Sequence, residues 1–252
     1  LISSITRGSR VCNRAGGVNV AVTRQFMVRA PVFFCEDMHG ALNLEQWIHN
    51  NFEKLRDKAH SVSSVARLRD IETFVFGATL HAKFRYTTGD ASGQNMTTAC
   101  TWVACEWLIK EIKNDRSIKY RSYLIEGNMS GDKKVNLQNY VSGRGIGVIA
   151  NIHVPGRILS NILRVDPEKY IRHIEAASVS AIHIGMMGSN INFANVIAGV
   201  FAATGQDIAC VHESSLGIFK AEKDGDGIIF NVSLPSLVIG TVGGGTKLPT
   251  QR

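Results

Sequence analysis

Apolar and polar positions follow two different periods in the first half of the chain, which predict a mixture of helices and strands. Apolar residues recur at helical spacing over residues 42–60 and again from 96 to about 115. Between them, residues 73–86 change to alternation, which is typical of a half-buried strand. Short apolar runs at 30–34 and 120–125 predict two further strands. This part therefore predicts a compact α+β module in the order strand, helix, strand, helix, strand.

The second half predicts one more strand, three helices and a hairpin. The strand covers residues 148–154, and the hairpin covers 217–234 with its turn at 224–227. The sequence Asp166-Pro167 is a good start signal for the middle helix. The predicted helices are 155–164, 167–184 and 191–204. Residues 1–30 are rich in Gly, Ser and Arg and carry a turn signal at 15–17, so no regular element is assigned there.

Composition and charge exclude several classes of protein. The chain has 252 residues, is 44% hydrophobic and 19% charged, and carries a net charge of +7. These values favour a folded protein with anionic partners, but the basic residues form no run, so no nucleic-acid partner is expected. No window is apolar for the roughly 18 residues of a membrane span, so a cytoplasmic location without membrane contact is expected. The five cysteines include no Cys-x-x-Cys pair, which favours buried reduced thiols and no metal site.

A Gly-rich stretch at residues 88–95 lies between a predicted strand and a predicted helix. Such a loop allows a ligand to approach the backbone and the helix N-terminus. Asp90 would repel a phosphate and suits a hydroxyl or carboxamide donor. The spacing matches neither common nucleotide-binding fingerprint. The alternative is a plain loop in which Asp90 or Ser92 caps the helix.

Three further segments carry polar residues with possible chemistry. Residues 126–134 place two lysines beside an aspartate, either as a solvated turn or as an ammonium that stabilises an oxyanion. Residues 185–207 hold three asparagines at the start of an apolar helix and end in Asp207, which indicates exposure or a specific partner. His183 and His212 are interpreted as packed or surface residues. Residues 240–246 contain three successive glycines after a strand, which favours an ordered loop over a linker.

Taken together, these segments resemble the catalytic part of the 3-hydroxy-3-methylglutaryl-CoA reductase family. Residues 90–95 resemble the family's Asp-Ala-Met-Gly-Met-Asn loop, with Ser92 and Gln94 in place of the methionines. Residues 132–134 match its Asp-Lys-Lys, 205–207 its Gly-Gln-Asp, and 240–246 its Gly-Thr-Val-Gly-Gly-Gly-Thr. Residues 1–31 resemble the segment after its Thr-Thr-Glu-Gly motif. The matches follow one another in order along essentially the whole chain.

The resemblance implies a two-domain organisation. Residues 1–30 and 123–252 would form a large, mostly helical domain around a central helix. Residues 31–122 would form an inserted, ferredoxin-like small domain that binds the nicotinamide cofactor. Family members form dimers or dimers of dimers that share the active site, which implies that Lys133 and Asp207 can belong to different subunits.

The resemblance also implies a reaction and its residues. An oxidoreductase of this kind uses two NADPH, with NADH less expected, to reduce 3-hydroxy-3-methylglutaryl-CoA to mevalonate and CoA for isoprenoid synthesis. Lys133 would stabilise the oxyanion, and Asp207 would hydrogen-bond that lysine. The implied substrate contacts are Arg29, Lys134, Asn195 and Arg7, the last near CoA. The implied cofactor contacts are Asp90, Ser92, Gly93, Asn95, Gly243, Gly244 and Gly245.

The sequence departs from the family pattern at several positions. The family's catalytic glutamate would precede Leu1 and its histidine would follow Arg252, so we expect an incomplete catalytic domain that lacks two groups needed for the reaction. Glu126 stands where animal members have a serine, and Glu175 falls near a lysine that many members use for the substrate. An added carboxylate would weaken binding of an anionic substrate unless it is protonated or turned away. The alternative to an enzyme is a non-catalytic relative that retains affinity for CoA or a nucleotide.

Overall fold

A computed structural model of the protein describes residues 1–247. Within this range, no helix is long and apolar enough to cross a membrane. The α-helices are α1 Ile2–Arg14, α2 Met38–Asn50, α3 Phe52–His60, α4 Gln94–Ile112, α5 Leu137–Val141, α6 Gly156–Ile158, α7 Pro167–His183, α8 Phe193–Ala203 and α9 Val211–Ser214. The strands are β1 Asn19–Arg29, β2 Val32–Cys35, β3 Arg67–Phe76, β4 Thr79–Thr87, β5 Tyr120–Leu124, β6 Gly145–Val154, β7 Gly188–Ser189, β8 Gly217–Asp224 and β9 Gly227–Leu237. A π-helical turn follows α6 at Leu159–Leu163, and 3-10 turns lie at Ile208–Cys210 and Gly244–Lys247.

Several predicted elements are confirmed. Helix α7 begins at Pro167, where the Asp166 side chain accepts a hydrogen bond from the amide of Lys169 at 2.8 Å. Helices α4 and α8 and strands β2, β5 and β6 lie where the apolar patterns predicted them. Strands β8 and β9 form the predicted antiparallel hairpin, with a left-handed Gly225 in its turn.

Other predictions are wrong in their extent. The helix predicted over 42–60 is two helices that meet at Asn51, whose side-chain amide bonds the carbonyl of Trp47 at 3.0 Å. The strand predicted over 73–86 is a β3–β4 hairpin turning at Gly77, because alternation continues on both sides of the turn. Only the first part of the 155–164 helix is α-helical, and it continues as the π-helical turn.

Residues 1–30 contain regular structure that the apolar pattern did not reveal. Helix α1 has few apolar residues, Ile2, Ile5, Val11 and Cys12, and a polar stretch containing Gly8 interrupts them, so the helical period was missed. The first five residues of β1 are exposed and its last three are buried. The alternation that marks a half-buried strand is therefore absent from β1.

The chain divides into two compact units. Unit 1 comprises Leu1–Gln25, Lys133–Ile239 and the chain from Gly243 on. Unit 2 comprises Phe26–Asp132 and Gly240–Val242. Strand β1 contributes its first residues to unit 1 and its last to unit 2. The sequence-based boundaries at 30/31 and 122/123 differ from these, and the assignment of residues 31–122 to a cofactor-binding domain stays a prediction.

Unit 2 is an antiparallel sheet with helices α2, α3 and α4 against it. Strand β4 pairs with β3 along one edge and with β2 and the end of β1 along the other, and β5 pairs with β2. Alternate side chains of β4, from Leu80 to Tyr86, point into the core because side chains along a strand alternate between faces. They pack there against helix residues that include Leu44, Leu55 and Leu108. The loop that precedes α4 joins β4 and α4, which both contribute buried residues to this core.

Unit 1 combines helices with a sheet in which β6 pairs with β9, β9 with β8, and β8 with the short β7. The beginning of β1 lies beside β6. The core contains buried residues of α1, β6, α6, α7 and the β8–β9 hairpin, with Phe219 stacked on Phe230 at 5.8 Å between ring centroids. The protein is therefore a mixed helix and sheet fold.

The cysteines are free thiols, as predicted. Cys35, Cys100, Cys105 and Cys210 are buried, whereas Cys12 is half-buried rather than buried. Burial raises the pKa of the Cys35 thiol to about 11, with a further contribution from the charge of Asp37. The Cys35 thiol therefore stays protonated at neutral pH and behaves as a small apolar side chain.

Candidate functional site

Lys133 and Asp207 form an ion pair in unit 1. The Lys133 ammonium lies 3.0 Å from a carboxylate oxygen of Asp207. Their side chains are 43% and 36% exposed, so the pair is accessible from solvent. The two residues come from segments that are far apart in sequence and that were singled out separately. The pair forms within one chain, so the implied arrangement with Lys133 and Asp207 on different subunits is not needed to bring them together.

The pKa of Asp207 lies below its ordinary value. Desolvation by partial burial is the largest single effect and raises the pKa, but the effects that lower it are larger in sum, and the hydrogen bond and positive charge of Lys133 come first among them. The amide of Ala209, 3.1 Å away, and the thiol of Cys210 lower it further. Asp207 is therefore an anion at neutral pH, and an anion beside an ammonium keeps that ammonium protonated.

A buried ion pair lies directly behind Lys133. The Lys133 amide donates to Glu213 Oε1 at 3.0 Å, and Arg144 Nη1 donates to the same oxygen at 2.6 Å. The side chains of Arg144 and Glu213 are both 0% exposed. Lys133 has a φ of 58°, a left-handed conformation that costs a non-glycine residue about 1–2 kcal/mol. Fixed partners around Lys133 offset that cost.

Two glycines pack backbone against backbone beside Asp207. A Cβ atom built on Gly245 would lie 2.3 Å from the carbonyl oxygen of Gly205, and one built on Gly205 would lie 2.7 Å from Gly245. Only residues without a side chain allow this approach. The contact brings the triple-glycine segment 243–245 to the turn that carries Asp207.

In unit 2, polar residues lie in the loop before α4 and in the first turn of this helix. Asp90 and Asn95 are exposed, Ser92 is half-buried and Gly93 is buried. Gly93 itself is the N-cap residue of α4, with a φ of 82° and no side-chain cap. The suggestion that Asp90 or Ser92 caps this helix is therefore wrong, because a left-handed glycine takes that position.

The segment Gly240–Val242 packs on the same loop. The Thr241 amide donates to the Asp90 carbonyl at 2.8 Å, and Val242 forms a parallel bridge with Ala91. A Cβ on Gly240 would lie 2.5 Å from the Ser92 amide nitrogen. Two segments that were singled out separately in the sequence thus meet at Asp90 and Ser92.

Arg29, at the end of β1, lies in a cluster of carboxylates within unit 2. Its Nη1 is 3.2 Å from Glu126 and 3.6 Å from Asp132. The other Glu126 oxygen accepts from the Asn128 amide at 2.8 Å and from the Ser130 hydroxyl at 2.9 Å. The extra carboxylate expected to oppose an anionic substrate is therefore turned onto the arginine. Arg29 Nε is buried and has no hydrogen-bond partner among the described residues.

The other predicted site residues lie on exposed surfaces. Arg7 lies on α1 and Asn195 in the first turn of α8, and both are exposed. The Lys134 side chain is exposed, and its carbonyl accepts from the Asn139 side chain at 2.9 Å. Asn192 is the N-cap residue of α8, so it precedes the helix that carries Asn195. His183 and His212 are both exposed, as interpreted.

Sequence reasoning missed Arg144 and Glu213, which are among the most buried charged residues described. Their separation by 69 positions gives no local pattern. One signal was available for Arg144, since glycines flank it on both sides. Glu213, the third residue of the short helix α9, gave no such signal.

The two units offer different chemistry. Unit 1 presents an ammonium held by an anion, which can stabilise negative charge that develops on an oxygen. Unit 2 presents a carboxylate, a hydroxyl and an amide side chain around the uncapped start of a long helix. These side chains can bind hydroxyl and carboxamide groups, and the amides at the start of the helix can bind an anion.

Solved structures define the class of fold. The chain is similar to a class II 3-hydroxy-3-methylglutaryl-CoA reductase from Streptococcus pneumoniae, solved with NADPH in open conformations, with a TM-score of 0.69. The sequence identity is 17%, over 98% of this chain and 67% of that chain. Another structure of the Streptococcus pneumoniae enzyme gives a TM-score of 0.67 at 16% identity.

Sequence comparison gives the family. The hydroxymethylglutaryl-coenzyme A reductase family matches residues 1–252, and the chain belongs to that family. It is 38% identical over 252 residues to the reductase of Methanothermobacter thermautotrophicus and 38% identical over 253 residues to that of Haloferax volcanii. These alignments cover 99% and 100% of this chain but only 62% and 61% of the relatives. The chain therefore spans about three fifths of the length of these relatives.

Proposed function

We propose that this chain carries the oxyanion-stabilising and cofactor-binding groups of an NADPH-dependent reductase that converts 3-hydroxy-3-methylglutaryl-CoA to mevalonate and CoA. The observation that carries the proposal is the 3.0 Å contact between Lys133 and Asp207. Membership of the reductase family supplies the reaction to be tested. The reduction consumes four electrons, supplied by two cofactor molecules, and its product serves isoprenoid synthesis.

Lys133 is the group that we assign to the reacting oxygen. NADPH, when bound, would supply hydride first to the thioester carbonyl carbon, which gives a hemithioacetal that breaks its C–S bond to release CoA thiol and an aldehyde, and then to the aldehyde carbon. In each reduction, negative charge develops on the carbonyl oxygen, and the Lys133 ammonium stabilises it. Removing one preorganised donor of this kind typically lowers kcat by about 100- to 1000-fold.

Asp207 keeps Lys133 charged and aimed. Because the pKa of Asp207 is lowered, the carboxylate stays ionised and favours the protonated lysine. Partial exposure of both side chains leaves room for a substrate oxygen to approach the ammonium. After the lysine has donated a proton to the alkoxide, the Asp207 carboxylate favours reprotonation of the lysine from solvent.

Four basic and polar residues are assigned to the acyl-CoA. We assign Arg29 to the substrate carboxylate, and its buried Nε without a described acceptor supports this. Glu126 and Asp132 already lie on the same guanidinium, so a substrate carboxylate must compete with them. Lys134 and Asn195 are assigned to the acyl group, and Arg7 to CoA.

Cofactor binding is assigned to the loop before α4 and to the glycines that follow β9. Asp90, Ser92, Gly93 and Asn95 surround the start of α4, and the preceding segment of the glycine run is hydrogen-bonded to Asp90. The assigned glycines are Gly243, Gly244 and Gly245. The fold of a reductase solved with NADPH supports the phosphorylated cofactor over NADH.

We propose that unit 2 is the ferredoxin-like cofactor domain. The order β2, helices α2 and α3, β3, β4, α4 and β5 is the β-α-β-β-α-β order of that motif. The strand order β5-β2-β4-β3 across an antiparallel sheet supports the same assignment. We also propose that the larger domain, built on unit 1, is arranged around a central helix.

We propose that the protein forms a homodimer or a dimer of dimers. Helices α7 and α8 expose large apolar side chains, including Val179 at 69% and Ile182 at 79%. Exposed apolar patches of this kind are typical of protein–protein interfaces. Analytical ultracentrifugation tests the proposal: a concentration-independent monomer mass would overturn it, and Ile182→Asp should weaken association of a dimer.

The decisive experiment measures NADPH oxidation by the full-length gene product with 3-hydroxy-3-methylglutaryl-CoA. Lys133→Ala should lower kcat by about 100- to 1000-fold. Lys223→Ala, which removes an exposed lysine that pairs with Glu168, is the matched control and should retain activity. Absence of oxidation, or full activity of folded Lys133→Ala, would refute the proposed function.

A further inference from the structure

Lys133 is held at two separate points by one short stretch of chain. Asp207 binds its ammonium at 3.0 Å, and Glu213 binds its backbone amide at 3.0 Å. Asp207 precedes the 3-10 turn Ile208–Cys210 and Glu213 lies in α9, so only five residues separate the two partners. The same rigid turn therefore fixes both the root and the tip of the lysine side chain.

We propose that the buried pair Arg144–Glu213 is a positioning device for Lys133. Glu213 Oε1 receives two donors, the Lys133 amide and Arg144 Nη1, and the arginine keeps that oxygen charged and in place. Neither Glu213 nor Arg144 touches the reacting groups, so both are positioning residues. The inference rests on the proposed role of the Lys133 ammonium and deepens it.

The backbone of Lys133 explains why such a device is needed. With a φ of 58°, Lys133 adopts a conformation that an unrestrained lysine avoids, so without a partner the peptide would relax. A lysine side chain also has many rotamers, and a misplaced root would spread the ammonium over many positions. Pinning the amide limits where the ammonium can reach.

A chain of buried hydrogen bonds extends the hold to the next residue. The Arg144 amide donates to Ser236 Oγ at 2.8 Å, and that hydroxyl donates to the Asn139 carbonyl at 2.7 Å. The Asn139 side chain in turn donates to the Lys134 carbonyl at 2.9 Å. The peptide that precedes the Lys133 Cα and the peptide that follows the Lys134 Cα are thereby linked to Arg144 and its neighbours.

Two double variants separate positioning from stability. Arg144→Met/Glu213→Gln keeps an oxygen acceptor for the Lys133 amide, whereas Arg144→Met/Glu213→Leu removes it. Both remove the buried charges together, and apolar replacements of a whole buried pair are commonly tolerated. A single Glu213→Leu change would instead strand the Arg144 charge and risk unfolding.

The first readout needs no substrate. Hydrogen exchange of the Lys133 amide, followed by NMR, should be at least about tenfold faster in the leucine variant than in the glutamine variant. Acetic anhydride should label the Lys133 amine faster in the leucine variant than in the glutamine variant, because a displaced ammonium loses its contact with Asp207, with Lys223 as the internal reference. Equal exchange and labelling in the two folded variants would overturn the proposal.

A second readout uses the full-length enzyme. The leucine variant should lose about tenfold in kcat with an unchanged KM, and the glutamine variant should stay near the parent value. If the two double variants have equal kcat and their Lys133 amides exchange at the parent rate, the positioning role is overturned. If the parent is inactive, the function proposal fails while the exchange result still decides the positioning role.

If neither double variant folds, hydrogen exchange of the parent protein tests the positioning role instead. Its Lys133 amide should then exchange as slowly as the amides of the buried core. An amide that exchanges at the rate of an open loop would overturn the proposal.

Discussion

Gly93 is the residue whose replacement should distort the loop before α4 most directly. It is the N-cap of α4 with a φ of 82°, which costs an alanine about 1–2 kcal/mol. A Cβ there would lie 2.3 Å from Thr88 Cγ2 and 2.9 Å from Thr88 Oγ1. Thr88 is 2% exposed and donates to the Ala91 carbonyl at 2.8 Å, so it has no room to move away.

The two costs add because they have separate causes. Overpacking of a buried contact typically costs about 1–3 kcal/mol. Gly93→Ala should therefore lower the free energy of unfolding by about 2–5 kcal/mol. Because Asp90 and Ser92 lie in the distorted loop, NADPH affinity should fall as well.

Gly77→Ala is the matched control that measures the cost of the left-handed backbone conformation without a steric clash. Gly77 also has a positive φ, 58°, but a Cβ there meets nothing within 4 Å. Urea denaturation should show a loss of only about 1–2 kcal/mol for this variant. Adding Thr88→Ser to Gly93→Ala removes the methyl group at 2.3 Å and should recover about 1 kcal/mol in a double-mutant cycle. The steric reasoning is refuted if Gly93→Ala costs no more than Gly77→Ala.

Three other variants test the ionisable and buried groups. His60 Nε2 accepts from the Leu68 amide at 2.9 Å, and burial together with nearby arginines lowers its pKa below 6.5. The stability that His60 contributes should therefore be lost as the pH falls below 6.5, and His60→Ala should remove this pH dependence from the free energy of unfolding measured in urea. Asp207→Asn should lower the free energy of unfolding by less than about 1 kcal/mol at neutral pH, because the pair with Lys133 is exposed. The difference from the parent should vanish as the pH falls below 3.8, and a larger loss in thermal unfolding would contradict this. Tyr86→Phe should cost about 1–2 kcal/mol because the 2.8 Å hydrogen bond of its buried hydroxyl is lost, and an unchanged unfolding midpoint would contradict that.

The predicted elements were correct where a local pattern carried them. Helix α7 has its cap and Pro167, and α4 has a continuous apolar face, so each could be predicted from a short window. The helix over 42–60 and the strand over 73–86 were predicted as single elements because periodicity continues across Asn51 and Gly77. Helix α1 was missed because its few apolar residues are interrupted by the polar stretch from Thr6 to Arg10, and the Gly, Ser and Arg content of this stretch favoured an irregular segment.

The sequence by itself determined the family, because short motifs in a fixed order identify it without any contact being known. It also singled out Lys133 and Asp207 as separate residues. Tertiary structure alone decided that they pair, that Glu126 is turned onto Arg29, and that a left-handed glycine caps α4. It alone brought Arg144 and Glu213, 69 positions apart, behind Lys133. Such contacts join distant segments through burial and hydrogen bonding, and no local window of sequence contains both partners.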